Sequence, residues 1–325
     1  MANVSSSNLT NKFSNTIVDQ ELSSLAKASY IISIIFNSIA CPFTVLLNVL
    51  VILAVKSRPR LQSKPNILLA CLAVTDAMNS LVAQPAFISA TTLKLFHITS
   101  YSREVSVRYQ NISSRVLYVC SALHLMLVTG ERLVAIKFTM RYPYVVTNRN
   151  IKVAVIAFWI VCLCSEQAAL ITDQTIFTNA FTGLVLTSCV LFILVSYVIL
   201  YRETRRHENK IKAGQLPQEE KERFLRDRKA LKTTVYVVGA VLLCLTPAAA
   251  WLLVSSFLRV LAEELWAQMT HDQLRKTIGP TVRTFVYLNS LINPLIYCWR
   301  QKEIRNKQQE NGAIQTDMAL NINAD

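Results

Sequence analysis

The sequence predicts an all-α membrane protein built as a seven-transmembrane helix bundle. Three observations favour this fold class. The 325 residues are 52% hydrophobic and only 17% charged, which is more apolar than an average soluble domain. The apolar residues collect into seven blocks, each about as long as the ~20 residues that an α-helix needs to cross a ~30 Å hydrocarbon layer. The cations concentrate in the segments between alternate blocks.

The seven blocks follow one another along the chain, at residues 30–55, 67–93, 105–138, 151–171, 177–201, 230–261 and 278–299. One block alone would also fit a buried helix of a soluble enzyme. Seven in series indicate a membrane protein, because only helices and closed barrels satisfy the backbone polar groups in lipid. We therefore expect residues 1–28 to form a tail, residues 29–300 the transmembrane domain, and residues 301–325 a short amphipathic helix followed by a disordered segment.

The distribution of Lys and Arg predicts the orientation in the membrane. Segments 56–64, 132–152, 202–232 and 300–307 carry 24 of the 34 cations, and all four lie on the same side of the bundle. The positive-inside rule makes that side cytoplasmic, which places the amino terminus outside the cell. The net charge of +14 is then a signal of topology, and it predicts a lipid bilayer and no nucleic acid as partner. The sequons at Asn3 and Asn8 become candidate glycosylation sites.

An acidic residue, Asp76, lies near the middle of the second block, where an ionisable side chain costs about 2.5–3.5 kcal/mol. Residues with oxygen-bearing side chains occur at similar depth in other blocks, namely Asn48, Ser121, Asn289, Ser290 and Asn293. Oxygen ligands suit a hard cation such as Na⁺. The alternative, a hydrated structural hydrogen-bond network, fits the same spacing equally well.

Two further features are a pair of opposite charges near the cytoplasmic side and one proline in each of the last two blocks. Glu131 and Arg132 place adjacent opposite charges at the end of the third apolar block. Pro247 and Pro294 lie inside the sixth and seventh blocks, where a missing amide proton and a ring clash weaken a helix. Both prolines are candidate hinges.

Over residues 30–308 the chain resembles a rhodopsin-like (class A) G-protein-coupled receptor. The matching residues occur in the family's order: Asn48, the run 72–76 (LAVTD), Glu131-Arg132, Trp159, Tyr197, Pro247 and the run 293–297 (NPLIY). The stretch after the third block is similar to melanocortin and adenosine receptors. The resemblance implies a plasma-membrane receptor without catalytic activity, whose inner face binds a heterotrimeric G protein.

The resemblance also implies a role for the Glu131-Arg132 pair. In the resting state Arg132 is held by Glu131 and by an acid at the inner start of the sixth helix, here Asp227. In the active state Tyr197 and Tyr297 receive the guanidinium. The alternative is a plain interfacial salt bridge worth ~0–1 kcal/mol. The chain departs from the family pattern at Leu245, where most members carry Trp.

Several residues in the outer half of the predicted bundle are candidates for a ligand site. The retinal-bearing Lys of opsins corresponds to Tyr287, which argues against retinal, and the Asp of amine receptors corresponds to Ser114. Arg283 faces the bundle at the outer end, where it either binds an acidic small molecule or peptide or extends to the membrane interface. Arg115 lies at the depth of Glu166, so these two form an internal pair or Arg115 meets the ligand. We expect Ser114, Tyr118 and Tyr287 to line the same cavity.

Two other classes of protein compete with the receptor interpretation. An ion-coupled transporter would use Asp76 and Glu166 as relay residues, but the chain lacks the internal repeat that transporters often carry. A membrane enzyme would need a catalytic cluster, and the four histidines at 97, 124, 207 and 271 are widely separated in the sequence. We therefore expect neither a cofactor nor catalytic residues.

Overall fold

The computed structural model describes residues 23–59, 62–98, 101–172, 175–213, 239, 242–258 and 273–296. The regular secondary structure in these ranges is entirely helical. Several predictions lie outside the described residues: the glycosylation sites Asn3 and Asn8, the switch residues Asp227 and Tyr297, and the amphipathic helix at 301–325.

Seven long helices, labelled α1 to α7, occupy the described part of the chain. They are α1 (Ser24–Ser57), α2 (Lys64–Leu95), α3 (Tyr101–Lys137), α4 (Asn148–Thr172), α5 (Thr175–Lys212), α6 (Leu242–Leu258) and α7 (residues 279–296). The first five are long and apolar enough to cross a membrane, and α6 is a shorter apolar helix. Each of the seven overlaps one of the predicted apolar blocks.

The first helix begins before the apolar block that predicts it. The Ser23 hydroxyl accepts a hydrogen bond of 3.3 Å from the amide of Ala26, and so caps the first turn. The helix therefore starts at Ser24, six residues ahead of the block. At the other end of the bundle, α5 continues beyond its apolar block to Lys212, as the alternating charges after residue 201 predict.

The second helix contains one wide turn that the hydropathy pattern does not predict. Residues Asn79–Ala83 form a π-helical turn, and Pro85 follows at the start of the next α-helical segment. Proline has no amide proton for the regular i→i−4 hydrogen bond, so the regular pattern is interrupted next to this turn. Such turns are frequent at functional sites, and this one begins three residues after Asp76.

The bundle buries polar side chains and exposes apolar ones. Asn37, Thr44 and Asp76 are completely buried, whereas Ile32 and Leu184 are 67% and 59% exposed. Water would penalise this arrangement, because exposed apolar surface is unfavourable there. Lipid reverses the preference for the outer surface, so the pattern is that of a membrane bundle. Its main core joins α2, α3, α5, α6 and α7 around Phe87, Leu125, Leu186, Leu245 and Tyr287.

The connector between α3 and α4 contains a one-turn helix, Tyr142–Val145. Val146, which follows it, is buried together with Leu68, Val128 and Ile151, and Tyr142 packs against this cluster. The connector is therefore fixed against the ends of α2, α3 and α4, and it lies beside the Glu131-Arg132 pair.

Candidate functional site

Asp76 lies at the centre of a buried hydrogen-bond network. Its carboxylate is 0% exposed and accepts three side-chain hydrogen bonds. Ser290 donates to Oδ1 at 2.9 Å, Ser121 to Oδ1 at 3.3 Å, and Asn293 to Oδ2 at 2.9 Å. The structure thus brings α2, α3 and α7 together on one carboxylate, at the depth that the sequence indicates.

Two asparagines extend this network, and a third lies buried beside it. Asn48 does not bond the carboxylate itself; its amide donates to the backbone carbonyls of Ser290 at 3.0 Å and Thr44 at 2.9 Å. Asn79, in the π-helical turn, donates to the Ser290 hydroxyl at 3.0 Å. Asn289 is buried, but no hydrogen bond to Asp76 is found for it among the described residues. The wide turn therefore adds a partner that spacing alone did not suggest.

The composition of this network suits a small hard cation. Within the described residues, the side-chain carbonyl oxygens of Asn79, Asn289 and Asn293 are buried and accept no hydrogen bond. Buried acceptors normally have a partner, and a cation supplies one. Asp76 provides the negative charge, while Ser121, Ser290 and Asn293 provide neutral oxygens next to it. These residues fit a sodium ion.

A cavity of about 300 Å³ opens in the half of the bundle away from Arg132. Its apolar lining comes from α6 and α7: Ala248, Trp251, Leu252, Val282 and Val286. Its polar lining consists of Asn111, Ser114, Arg115, Tyr118, Asn179, Ser255, Arg275 and Arg283. Ser114, Arg115, Tyr118 and Arg283 are thus brought together as the sequence predicts.

Arg115 and Glu166 form a bidentate ion pair between α3 and α4. Arg115 Nε donates to Glu166 Oε1 at 2.8 Å, and Nη2 donates to Oε2 at 2.7 Å. The side chains are 16% and 6% exposed, respectively. The internal pair expected from their equal depth is therefore present. Arg115 still lines the cavity, with Nη1 at 3.5 Å from the side-chain oxygen of Asn179.

Tyr287 lies behind the cavity lining, not in it. Its side chain is 2% exposed, and its hydroxyl donates to the carbonyl of Ala83 at 3.1 Å. Because a phenol has a single proton, the contact of 3.0 Å with Ser114 has the Ser114 hydroxyl as its donor. Tyr118 packs edge-on against Tyr287, with the ring centroids 5.7 Å apart. Tyr287 therefore joins the cavity wall to the π-helical turn of α2.

At the opposite end of the bundle, Glu131 and Arg132 are both largely buried. Arg132 Nε lies 3.4 Å from Glu131 Oε2, and the side chains are 14% and 2% exposed, respectively. The second carboxylate oxygen accepts a hydrogen bond of 2.8 Å from the Tyr142 hydroxyl. The acid thus has partners on two sides, from its own helix and from the connector.

The other predicted switch residues lie near this end of the bundle or between it and the cavity. Tyr197 on α5 packs against the main core. Pro247 lies within α6 and Pro294 within α7, and both helices continue past the proline.

Residues 47–297 match the model of the family described as 7 transmembrane receptor (rhodopsin family). This match covers well over half of the chain, so the protein belongs to that family. The resemblance to rhodopsin-like G-protein-coupled receptors is therefore confirmed. Receptors of this family are multi-pass plasma-membrane proteins that signal through G proteins, and as a class they are not enzymes.

Relatives of this chain include receptors of two kinds. The Alpha-1A adrenergic receptor of Rattus norvegicus is 26% identical, over 84% of this chain and 66% of that receptor, so the chain spans slightly less than two thirds of its length. The Histamine H2 receptor of Rattus norvegicus is 24% identical, over 81% of this chain and 74% of that receptor. The Cavia porcellus Histamine H2 receptor is also 24% identical. The likeness to melanocortin and adenosine receptors stays a prediction.

Sequence reasoning did not single out several residues that the geometry brings to these sites. Asn111 and Asn179 line the cavity as neutral partners of Arg283 and Arg115. Their signal in the sequence is an amide within an apolar block, four residues before an arginine in the case of Asn111. Tyr142 gives no such signal, because its contact with Glu131 depends on how the connector folds back.

Proposed function

We propose that this protein transmits the binding of an acidic extracellular ligand to heterotrimeric G proteins. The proposal includes a seven-helix bundle with an extracellular tail at residues 1–28, which is glycosylated at Asn3 and Asn8. Residues 301–325 form a cytoplasmic amphipathic helix and tail. The observation that carries it is the largely buried Glu131–Arg132 pair near the end of α3, whose acid also accepts a hydrogen bond from Tyr142.

A buried ion pair is well suited to act as a switch. Removing two charges from water is costly, so such a pair adds little net stability and is sensitive to any change in its partners. The planar guanidinium of Arg132 can bind one carboxylate and later other acceptors. In our proposal Glu131 and Asp227 hold Arg132 at rest. Tyr197 and Tyr297 receive it after α6 bends at Pro247 and α7 at Pro294.

The cavity supports an acidic ligand. Arg275 and Arg283 line it, while the position that carries Asp in amine receptors is Ser114. The relatives are named for adrenergic ligands and histamine, but this chain lacks the carboxylate that would neutralise an amine at that position. A ligand shifts the receptor only by its difference in affinity for the two states. We expect the acid to bind the active arrangement more tightly.

We also propose that a sodium ion binds at Asp76 and stabilises the resting arrangement. Ser121, Ser290 and Asn293 would supply its other protein oxygens, and Asn289 would approach from the same helix face. A cation there neutralises the buried carboxylate, which is otherwise costly.

The geometry disfavours the transporter alternative. A relay residue must exchange protons or ions, but Glu166 is engaged by two short hydrogen bonds from Arg115.

Ligand-independent signalling in cells tests the proposed function. Cyclic AMP and calcium would be recorded for the wild type and for Glu131→Gln, Asp227→Ala and Arg132→Ala at equal surface expression. We expect the first two variants to raise the basal signal and the third to abolish it. Unchanged output from all three would contradict the switch. An amino-terminal tag that antibodies reach only after permeabilisation would contradict the topology.

A further inference from the structure

One face of α4 carries exposed apolar side chains and begins with two cations. Arg149 and Lys152 are exposed near the start of the helix, and Val153, Ile156 and Ile160 are 59%, 58% and 55% exposed. At about 3.6 residues per turn, these five positions lie within about 100° of one another around the helix axis. The two cations and the three apolar side chains therefore share one face.

The opposite face of α4 packs into the bundle. Ile151, Cys162 and Glu166 are 5%, 1% and 5% exposed, and Glu166 binds Arg115 of α3. In a membrane bundle the exposed apolar side chains contact lipid, because lipid removes the penalty that water imposes on them. The face that begins with Arg149 is therefore the lipid-facing side of α4.

The two cations lie at the depth of the lipid head groups. The helix begins at Asn148, and the apolar part of its exposed face starts at Val153. From Val153 to Ile160 the helix rises about 10 Å, which fits within the hydrocarbon of one leaflet, about 15 Å. A lipid whose acyl chains pack against this face would place its head group beside Arg149 and Lys152.

The connector that leads into α4 exposes further apolar side chains next to these cations. Phe138, Met140 and Tyr144 are 43%, 87% and 81% exposed. The side-chain amide of Asn150 donates to the carbonyl of Val145 at 2.8 Å, so the connector is held against the first turn of α4. Exposed apolar patches mark surfaces that contact a partner or a membrane, and aromatic residues beside cations are typical of the membrane interface.

The charge of this surface has one sign. The sequence contains no Asp or Glu between residues 132 and 165, whereas Lys137, Arg141, Arg149 and Lys152 are all exposed. No ion pair is found for these four cations within the described residues. The positive-inside rule predicts that this end of the bundle faces the cytoplasm, where the membrane leaflet is anionic. The surface and the leaflet are therefore complementary in charge.

We propose that Arg149 and Lys152 bind the head group of an anionic phospholipid, whose acyl chains pack along Val153, Ile156 and Ile160. The connector lies in the same interface and adds positive charge and apolar contact. A G protein is the competing partner for an exposed surface at this end of the bundle. The lipid is favoured because the two cations continue the lipid-facing side of α4. This inference goes beyond the proposed function, since it requires a membrane bundle but no signalling.

Native mass spectrometry of the purified full-length protein in a neutral detergent tests the inference. The probes are dioctanoyl phosphatidylserine, dioctanoyl phosphatidylcholine and the soluble head group glycerophosphoserine. We expect phosphatidylserine to bind about tenfold or more tightly than phosphatidylcholine, because it carries a net negative charge. Glycerophosphoserine should bind most weakly, since it has no acyl chains to contact α4. Equal affinities for phosphatidylserine and phosphatidylcholine would overturn the proposal, and so would equal affinities for phosphatidylserine and its soluble head group.

Substitutions locate the binding to the start of α4. Arg149→Gln combined with Lys152→Gln should weaken phosphatidylserine by about 25-fold, at about fivefold for each cation. Each single variant should lose about fivefold, and the single variants replace the double variant if it does not fold. The matched control combines Arg205→Gln with Arg206→Gln, which removes the same charge from exposed positions of α5 beyond its apolar block. An equal loss of affinity in this control would contradict the site.

The same double variant distinguishes a lipid from a G protein as the partner of this surface. We expect it to lose phosphatidylserine binding but to activate a purified G protein like the wild type in phosphatidylcholine nanodiscs. A variant that keeps phosphatidylserine binding but activates the G protein less well would show that the surface serves the G protein, and the proposal would be wrong. Lipid binding is measured without a G protein, so its result stands even when the wild type activates none.

Discussion

Tyr142 donates a hydrogen bond of 2.8 Å to Glu131 Oε1, on the carboxylate whose other oxygen lies 3.4 Å from Arg132 Nε. The phenol comes from the one-turn helix after α3, and its ring lies beneath the ammonium of Lys64, 5.2 Å from the ring centroid. One side chain thus links the start of α2, the connector and the acid of the proposed switch. The connector is consequently part of the resting arrangement.

We predict that Tyr142→Phe raises ligand-independent signalling. The substitution keeps the ring in its packed position but removes a hydrogen bond to a charged group, which is worth about 1.5–3 kcal/mol. Glu131 is then held less firmly and Arg132 is released more easily, so we expect a rise of about tenfold or more. Basal cyclic AMP and calcium at matched surface expression provide the measurement.

Tyr144→Phe is the control for this experiment, because Tyr144 lies in the same short helix and is 81% exposed. It should leave the basal signal at the wild-type level. If both variants signal like the wild type, the hydrogen bond from Tyr142 has no part in the resting state.

The sequence predicts those features that depend on depth in a membrane. Hydropathy locates the helices, and counting residues from the cytoplasmic cations places Asp76 level with Ser121 and Ser290. The same counting pairs Arg115 with Glu166. All of these follow from a rise of about 1.5 Å per residue in helices that run roughly parallel.

Counting residues by depth does not predict features that depend on the rotation of a helix about its axis or on irregular backbone. Tyr287 was expected to line the cavity, but it lies behind the lining, in contact with Ser114 and the backbone of Ala83. Asn79 begins the π-helical turn of α2 and bonds Ser290, although Pro85 alone does not specify such a turn. Tyr142 reaches Glu131 through a connector whose path has no periodic pattern to reveal it.

The Arg115–Glu166 pair leads to a prediction about stability. Glu166→Gln leaves a largely buried guanidinium without its carboxylate, and breaking a buried pair costs about 3–5 kcal/mol. Since Arg115 is 16% exposed, we expect about 3 kcal/mol, measured as a lower melting temperature of the purified receptor. The double variant with Arg115→Gln should recover much of this loss, because no charge then remains buried.

Glu203→Gln is the matched control, since Glu203 lies 3.9 Å from Arg206, whose side chain is 68% exposed. Exposed pairs of this kind contribute about 0.5 kcal/mol or less. An equal loss in Glu166→Gln and Glu203→Gln would show that the pair between α3 and α4 is not an important internal contact.

We predict that sodium stabilises the protein through Asp76. A ligand that binds the folded state raises its stability according to its concentration and affinity. The wild type should therefore melt at a higher temperature in NaCl than in an equal concentration of KCl. Asp76→Asn should abolish the difference, because the amide cannot neutralise a cation.

The control here is Glu104→Gln, which makes the same acid-to-amide change at an exposed position in the first turn of α3. It should retain the difference between the two salts. A wild type that melts identically in sodium and potassium would argue for the hydrogen-bond network alone.

The last prediction concerns the close approach of α5 and α6 at Gly183. A Cβ atom built there would lie 3.1 Å from Leu253 Cδ2 and 3.3 Å from Leu252 Cβ. Alanine in place of glycine favours a helix by about 1 kcal/mol, but overpacking costs about 1–3 kcal/mol. Because Leu252 Cβ is fixed to the backbone, the close contact is removed only if α6 itself moves. We therefore expect Gly183→Ala to lower the free energy of unfolding by about 1 kcal/mol, measured by thermal melting. Gly279→Ala is the control, because a Cβ there meets no atom within 4 Å, and it should melt at or above the wild-type temperature. A Gly183→Ala variant as stable as this control would contradict the prediction, because α6 would then move at this contact without lowering the free energy of unfolding.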